Sequence, residues 1–280
     1  MRINKMKALV ALMLIVCFML SACGRKNEAP EGELSIDAPT ATAVPVETEA
    51  PTPEPTAEST PEPTAKPAGA EAASRRVDPD GKMIALTFDD GPGAGTRRIL
   101  SALDEVGGRA TFCMVANRLG EYAQTARKVA DQGSEIATHT WEHPNLTKLG
   151  ASGLRQELNK SLNAIEKTTG VRPTVLRPPY GSVNSEVREA CAELGLVIAN
   201  WNIDPEDWKT RDAASIRNHI LSNAKDGAIV VCHDLYPETA SAMESAIRTL
   251  SDRGYQLVTV SELLDARAGG GTAGKLYYAA

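Results

Sequence analysis

From residue 82 onward the chain alternates short apolar runs with longer amphipathic ones, and this alternation restricts the folds open to it. KMIALTF, RATFCMVA, SEIAT, PTVLRPP, GLVIANW, AIVVCHD and YQLVTV have the length and apolar character of β-strands. Between them lie TRRILSALDEV, EYAQTARKVADQ, LRQELNKSLNAIEKTTG, SEVREACAEL, AASIRNHILSNA and ETASAMESAIRTLSDRG, whose apolar residues recur at helical spacing. Two of these close on Gly170 and Gly254, where a left-handed residue can cap the last turn. Repeated β-then-α units predict an α/β fold around a largely parallel sheet of about seven strands. Periodicity alone suits a barrel or an open sheet. In both, a site forms in the loops at the C-terminal ends of the strands.

The first 76 residues follow a different logic. Arg2, Lys5 and Lys7 precede the apolar run ALVALMLIVCFML, the layout of an export signal over residues 1–22. The run ends at Leu20-Ser21-Ala22-Cys23-Gly24, which resembles a bacterial lipoprotein cleavage box, so Cys23 is expected to carry a lipid. Residues 23–76 read as a disordered tether: nine of the chain's 17 prolines fall between residues 30 and 67, interleaved with Thr, Glu and Ala. Such a composition buries too little apolar surface to offset its ordering entropy. The expected location is extracytoplasmic, lipid-anchored to the bacterial cell membrane, with the reach to work on a polymer beside it.

Residues 77–266 are long enough for one well-buried domain, and the Gly-rich 267–280 segment reads as a flexible tail. Cys113, Cys191 and Cys232 sit in apolar segments and are expected as buried free thiols, since three cysteines leave at least one unpaired. The formal charge of −6 becomes −9 without the three cations of the signal. No Lys/Arg stripe points to nucleic acid as a partner, and nothing in the pattern specifies an oligomeric state.

The informative polar residues stand where strands end. LTF runs into Asp89-Asp90, EIA into THTWEH, TVL into RPPYG, VIA into NWNIDPEDW, and IVV into CHD. His139 and His143 are two of only four histidines, spaced so that both rings can face one point if the segment turns helically. A carboxylate from Asp89 or Asp90 would complete a two-His, one-Asp face around a divalent ion, leaving positions open for water and substrate. The metalloprotease HExxH pattern does not apply, because position 140 is Thr where that chemistry needs Glu. His233, alone after AIVVC, is either a strand-end residue or a proton donor. His219, on a helix candidate, reads as a structural or surface residue.

Together, TFDDGP at 87–92, the HTWEH pair at 139–143, RPPYG at 177–181, the DxxDW element at 204–208 and the apolar-x-His element ending at His233 resemble the polysaccharide deacetylases of the NodB-homology class, carbohydrate esterase family four. The resemblance covers about residues 82–265. It implies a deformed parallel (β/α) barrel of about seven strands.

It also implies roles. Asp89 is the expected general base, with Asp90, His139 and His143 as ligands of one divalent ion, zinc first, with cobalt, nickel or manganese able to use the same face. An ion beside Asp90 relieves the repulsion between neighbouring carboxylates and leaves Asp89 free to take a proton. Tyr180 is expected to present its backbone N–H to the oxyanion from a loop stiffened by consecutive prolines. His233 is the expected general acid, with Asp204 as its orienting carboxylate and Arg177 beside the base. Pro179, Tyr180, Trp208 and Val231 are expected against substrate, whereas Trp201 reads as a core aromatic. Val231 stands where the family usually has Leu, a small change in an apolar wall.

The implied activity is metal-dependent hydrolysis of N-acetyl groups on a cell-wall polysaccharide, with N-acetylglucosamine of peptidoglycan as the first choice. Alternatives are chitin-like oligomers, N-acetylmuramic residues, another exported polysaccharide, O-acetylated xylan, some other amide or ester, and a non-catalytic glycan-binding lipoprotein. A complete set of ligands, base and acid weighs against pure binding.

Overall fold

The computed structural model describes residues 75–280. The expected export signal, Cys23 and all but the end of the tether lie outside the described residues. Eight strands form in chain order: β1 (Met83–Gly91), β2 (Thr111–Met114), β3 (Glu135–Thr138), β4 (Val175–Leu176), β5 (Val197–Ala199), β6 (Ala228–His233), β7 (Gln256–Val258) and β8 (Leu276–Tyr277). The helices are α1 (Thr96–Glu105), α2 (Leu119–Gln132), α3 (Ala151–Thr169), α4 (Ser185–Leu194), α5 (Asp207–Thr210), α6 (Ala213–Asn223), α7 (Pro237–Asp252) and α8 (Val260–Ala268). All seven expected strands are present. Gly170 caps α3 and Gly254 follows α7, both at positive φ.

The strands pair in the order β6-β1-β2-β3-β4-β5-β8, all parallel, with β7 beside the first half of β1. The sheet curls on itself. Between its two ends lie single bridges, Ile203 to Val230 and Ala228 to Ala279, in place of a continuous ladder. This is the deformed parallel barrel that periodicity could not separate from an open sheet.

Strand alternation sorts the core into two faces. Ile84, Leu86 and Phe88 of β1 join one buried cluster that includes residues of α1, α2 and α7, with Phe88 against Phe112 at 5.1 Å between centroids. Met83 and Ala85, with Cys113, Ala137, Ala199 and Ile229, belong to a second cluster that includes Leu263 and Leu264 of α8 and Tyr277. Thr87 and Asp89 continue that second face toward the strand's C-terminal end. The three described cysteines are buried and unpaired, as expected.

The 267–280 segment is not the flexible tail the sequence suggested. Leu276 and Tyr277 pair with Ile198 and Ala199, Tyr277 is 7% exposed, and its hydroxyl accepts from the Thr272 N–H. β8 covers an edge of β5 that would otherwise present unpaired backbone groups. Two apolar residues beside a glycine-rich run are too few for a periodicity to reveal them.

Candidate active site

The side-by-side carboxylates depend on a break in strand register. Phe88 pairs with Phe112 but Gly91 pairs with Met114, so β1 carries one extra residue at Asp89-Asp90. In a regular strand, neighbours point to opposite faces; a bulge re-aims one of them. Asp90 takes a left-handed φ of 67°. Both carboxylates thereby approach the His139 ring, Asp89 at 4.0 Å and Asp90 at 3.4 Å from Nε2. The next residue, Gly91, must lack a side chain, because a Cβ there would lie 2.4 Å from Asp234 Oδ1.

Asp89 is buried and gripped by Arg177, itself fully buried, whose Nη1 donates to both carboxylate oxygens at 2.7 and 2.9 Å. The rest of the guanidinium is occupied: Nε donates to Ala199 O, and Nη2 to Thr87 Oγ1 and Asn200 O. Trp201 stacks over it at 5.2 Å, which gives that aromatic its packing role. Burial pushes the Asp89 carboxyl up, but Arg177, helped by His139 and His233, more than offsets this and holds it below the usual range. Asp89 is therefore an anion with its orientation locked.

Asp90, His139 and His143 bring one donor atom each to within 4.8 Å of one another. Asp90 Oδ1 lies 3.4 Å from Nε2 of both rings. His139 Nδ1 is 2.7 Å from the Arg177 carbonyl, which can only accept, so Nδ1 carries a proton and Nε2 is the ring nitrogen turned toward Asp90. Partial burial, with His139 alongside, lowers the pKa of His143 and keeps it neutral. Burial opposes ionisation of Asp90, yet the two histidines bring it down to about 2. One carboxylate and two imidazoles at this spacing suit a divalent ion with zinc-like bond lengths of about 2.0–2.2 Å. The donor set fits a metal, as the resemblance implied.

His233 stands opposite Asp89 in the β1–β6 register. Its orienting carboxylate is Asp207, which corrects the expectation of Asp204. Asp207 is fully buried; Oδ1 lies 2.7 Å from His233 Nδ1, and Oδ2 accepts from the His233 N–H and the Thr239 hydroxyl, each at 2.7 Å. Asp204 instead accepts from the Glu206 N–H at 2.8 Å, closing a local turn. Glu206 then takes a left-handed φ of 49° and starts α5, which sends Asp207 inward. Burial works against a charged imidazole at His233, but Asp207 outweighs it and lifts the pKa to about 9. The ring is a protonated donor at neutral pH.

The remaining expected residues fall on the rim or beneath it. Tyr180, 66% exposed, has a left-handed φ of 60° and meets the His143 ring edge-on at 4.8 Å. In its turn the Gly181 and Ser182 N–H groups donate to Pro178 and Pro179, while the Tyr180 N–H makes no hydrogen bond among the described residues. Pro179 is buried and stiffens that turn. Trp208, half exposed, follows Asp207. Val231 is buried on the same strand face as His233, two residues before it. His219 is exposed on α6, as expected of a surface residue. Residue-by-residue reading missed Thr87, Asp207 and Thr239. Period-two alternation back from Asp89 would have flagged Thr87, and the second carboxylate of DxxDW was visible as the other candidate.

A parallel barrel whose adjoining strand ends carry a locked carboxylate and a protonated imidazole, beside a metal-ready trio, has the geometry of a metal-assisted hydrolase. The family model described as polysaccharide deacetylase matches residues 76–199. The peptidoglycan-N-acetylmuramic acid deacetylase PdaC of Bacillus subtilis is 43% identical over 188 residues, covering 67% of this chain and 40% of its own. The peptidoglycan-N-acetylglucosamine deacetylase PgdA of Listeria monocytogenes is 38% identical over 183 residues, 65% of this chain and 39% of its own. The solved structure of B. subtilis PdaC superposes with a TM-score of 0.66 at 41% identity, covering 69% of this chain and 95% of that one. The chain belongs to the polysaccharide deacetylase family. It spans about two fifths of the length of each of these two relatives.

Proposed function

We propose that this protein removes N-acetyl groups from a cell-wall glycan, with N-acetylglucosamine of peptidoglycan as its first substrate. The observation that carries the reading is the pairing of Asp89 with His233 on adjacent strands, one anionic and one cationic, beside the Asp90–His139–His143 trio.

Amide hydrolysis needs a proton taken from water and a proton given to the departing amine, at two separate points. Asp89, held by Arg177, accepts the first. His233, held by Asp207, supplies the second. The Tyr180 N–H is free to donate to the oxygen that gains negative charge as the carbonyl is attacked. Asp90, His139 and His143 hold the divalent ion, zinc in the first instance, with cobalt, nickel and manganese as the alternatives. Such an ion, when bound, polarises the carbonyl and lowers the pKa of water. Val231 and Pro179 wall the acetyl group, and the exposed rings of Tyr180 and Trp208 lie against the sugars.

The name of the B. subtilis relative favours N-acetylmuramic acid as a second candidate sugar. A lipid on Cys23 and the proline-rich tether would hold the domain outside the cytoplasm, at the membrane and within reach of the wall. The test is to strip the full chain of metal, reload it with zinc or cobalt, and follow acetate release and product mass with peptidoglycan strands and chitin-like oligomers. Metal-dependent acetate from glycan strands upholds the reading, and fragmentation of the product identifies the sugar. No acetate from any acetylated glycan, with the folded chain metal-loaded, overturns it in favour of a binding module or another hydrolase.

A further inference from the structure

The segment that carries both histidine ligands has an awkward backbone. Thr140 and His143 both take left-handed φ values, 71° and 60°, without being glycine. For the β-branched Thr140 this is a marked outlier, and such conformations persist only where the surroundings over-determine them. Five consecutive N–H groups account for that constraint. His139 N–H donates to Met114 O, Thr140 N–H to Thr138 Oγ1, and His143 N–H to Thr140 Oγ1. The two between them, Trp141 and Glu142, both donate to one atom, Oε1 of Glu157 on α3, at 2.9 and 2.7 Å.

Successive N–H groups converging on one oxygen form a concave anion seat, and here a side chain of the same protein fills it. Each bond is charge-assisted. We propose that Glu157 is a positioning residue for the metal centre: it fastens the Trp141–Glu142 step so that His139 and His143, on either side, keep their Nε2 atoms on Asp90. Glu157 hydrogen-bonds to none of the three ligand side chains, and it acts through the loop. Without it, two N–H groups lose their partner and the left-handed residues lose a restraint, so the histidines spend part of their time misaligned. The inference rests on the trio holding a divalent ion, but not on which bond the protein cleaves.

The test is zinc affinity of the full chain, measured by competition with a chromophoric chelator, for wild type, Glu157→Ala, Glu157→Gln and Glu157→Asp. Partners of this kind are worth about 10–100-fold in metal affinity. Glu157→Ala is expected to weaken zinc by that factor. Glu157→Gln keeps an acceptor oxygen at the same reach and should recover most of the loss; Glu157→Asp keeps the charge but withdraws the oxygen by one methylene and should not. A residue that serves folding alone would lower the melting temperature of the metal-free chain and leave the affinity of the folded fraction unchanged. A folded Glu157→Ala with wild-type affinity overturns the proposal. Should the alanine variant not fold, wild-type affinity in Glu157→Asp does the same. A wild-type chain that takes up no divalent metal overturns it together with the ligand set. An affinity loss in a chain that releases no acetate upholds this inference while refuting the proposed activity.

Discussion

Replacing Asp207 with Asn tests the acid side of the site at a single atom pair. Asp207 is fully buried and His233 is 16% exposed at its side chain, so solvent screens their interaction only weakly. The imidazole pKa rises from 6.5 to about 9 because Asp207 outweighs the burial that opposes its charge. At 1.36 kcal/mol for each pH unit, this favours the imidazolium by roughly 3 kcal/mol. The sign follows from the raised folded value: the pair stabilises the fold fully below pH 6.5, and the contribution is lost as pH rises from there through about 9. With Asn at 207 the burial remains, opposed only by the weaker pull of Asp89 and Asp90, so the His233 midpoint should fall clearly from about 9. NMR titration of the metal-free chain measures this directly, with the His233 resonance assigned by its loss in His233→Gln. In the metal-loaded enzyme the alkaline limb of kcat should move to lower pH in the same variant. A His233 midpoint that stays near 9 in folded Asp207→Asn, or that drops in Asp204→Asn instead, would refute the assignment.

Asp89→Asn should bind zinc with affinity near that of wild type and lose about 100-fold or more in acetate release; near-full turnover would remove the base from Asp89. Arg177→Met leaves the Asp89 carboxylate buried without its partner and should cost about 3–5 kcal/mol in urea unfolding, while a change under about 1 kcal/mol would place the pair among ordinary surface bridges. Tyr277→Ala should cost about 3 kcal/mol in the same assay, because the ring joins the buried cluster of Met83, Ala85 and Val258; a neutral result would return the last segment to the status of a loose tail.

The elements most legible in the sequence were those with repetition. Seven strands could be read because each carries its own apolar run, and the site's location because five of those runs end in chemistry-bearing residues. Closure was less visible, since it depends on single bridges such as Ile203 to Val230, which leave no periodic trace. The choice between Asp204 and Asp207 turned on one backbone angle, the left-handed Glu206, and Glu is not a residue that announces such a turn. Nothing in the sequence sets Glu157 apart from the other acids of its helix. Its partners are two backbone N–H groups 15 and 16 residues earlier, and only tertiary packing brings them together.

The pairing of β8 with β5 bears on the order in which the protein can be completed. Every residue assigned here to ligand, base, acid or orienting role has been synthesised once His233 is made. Yet the Asn200 N–H donates to Tyr277 O, and the Ala199 and Asn200 carbonyls that receive Arg177 sit on that same strand end. A nascent chain halted after α7 would therefore carry the full chemistry while the β5 edge beneath Arg177 still lacked its neighbour. The frame around the base is finished by residues made more than forty positions after the acid, so the docking of β8, rather than arrival of the last motif, completes the strand edge beneath the site.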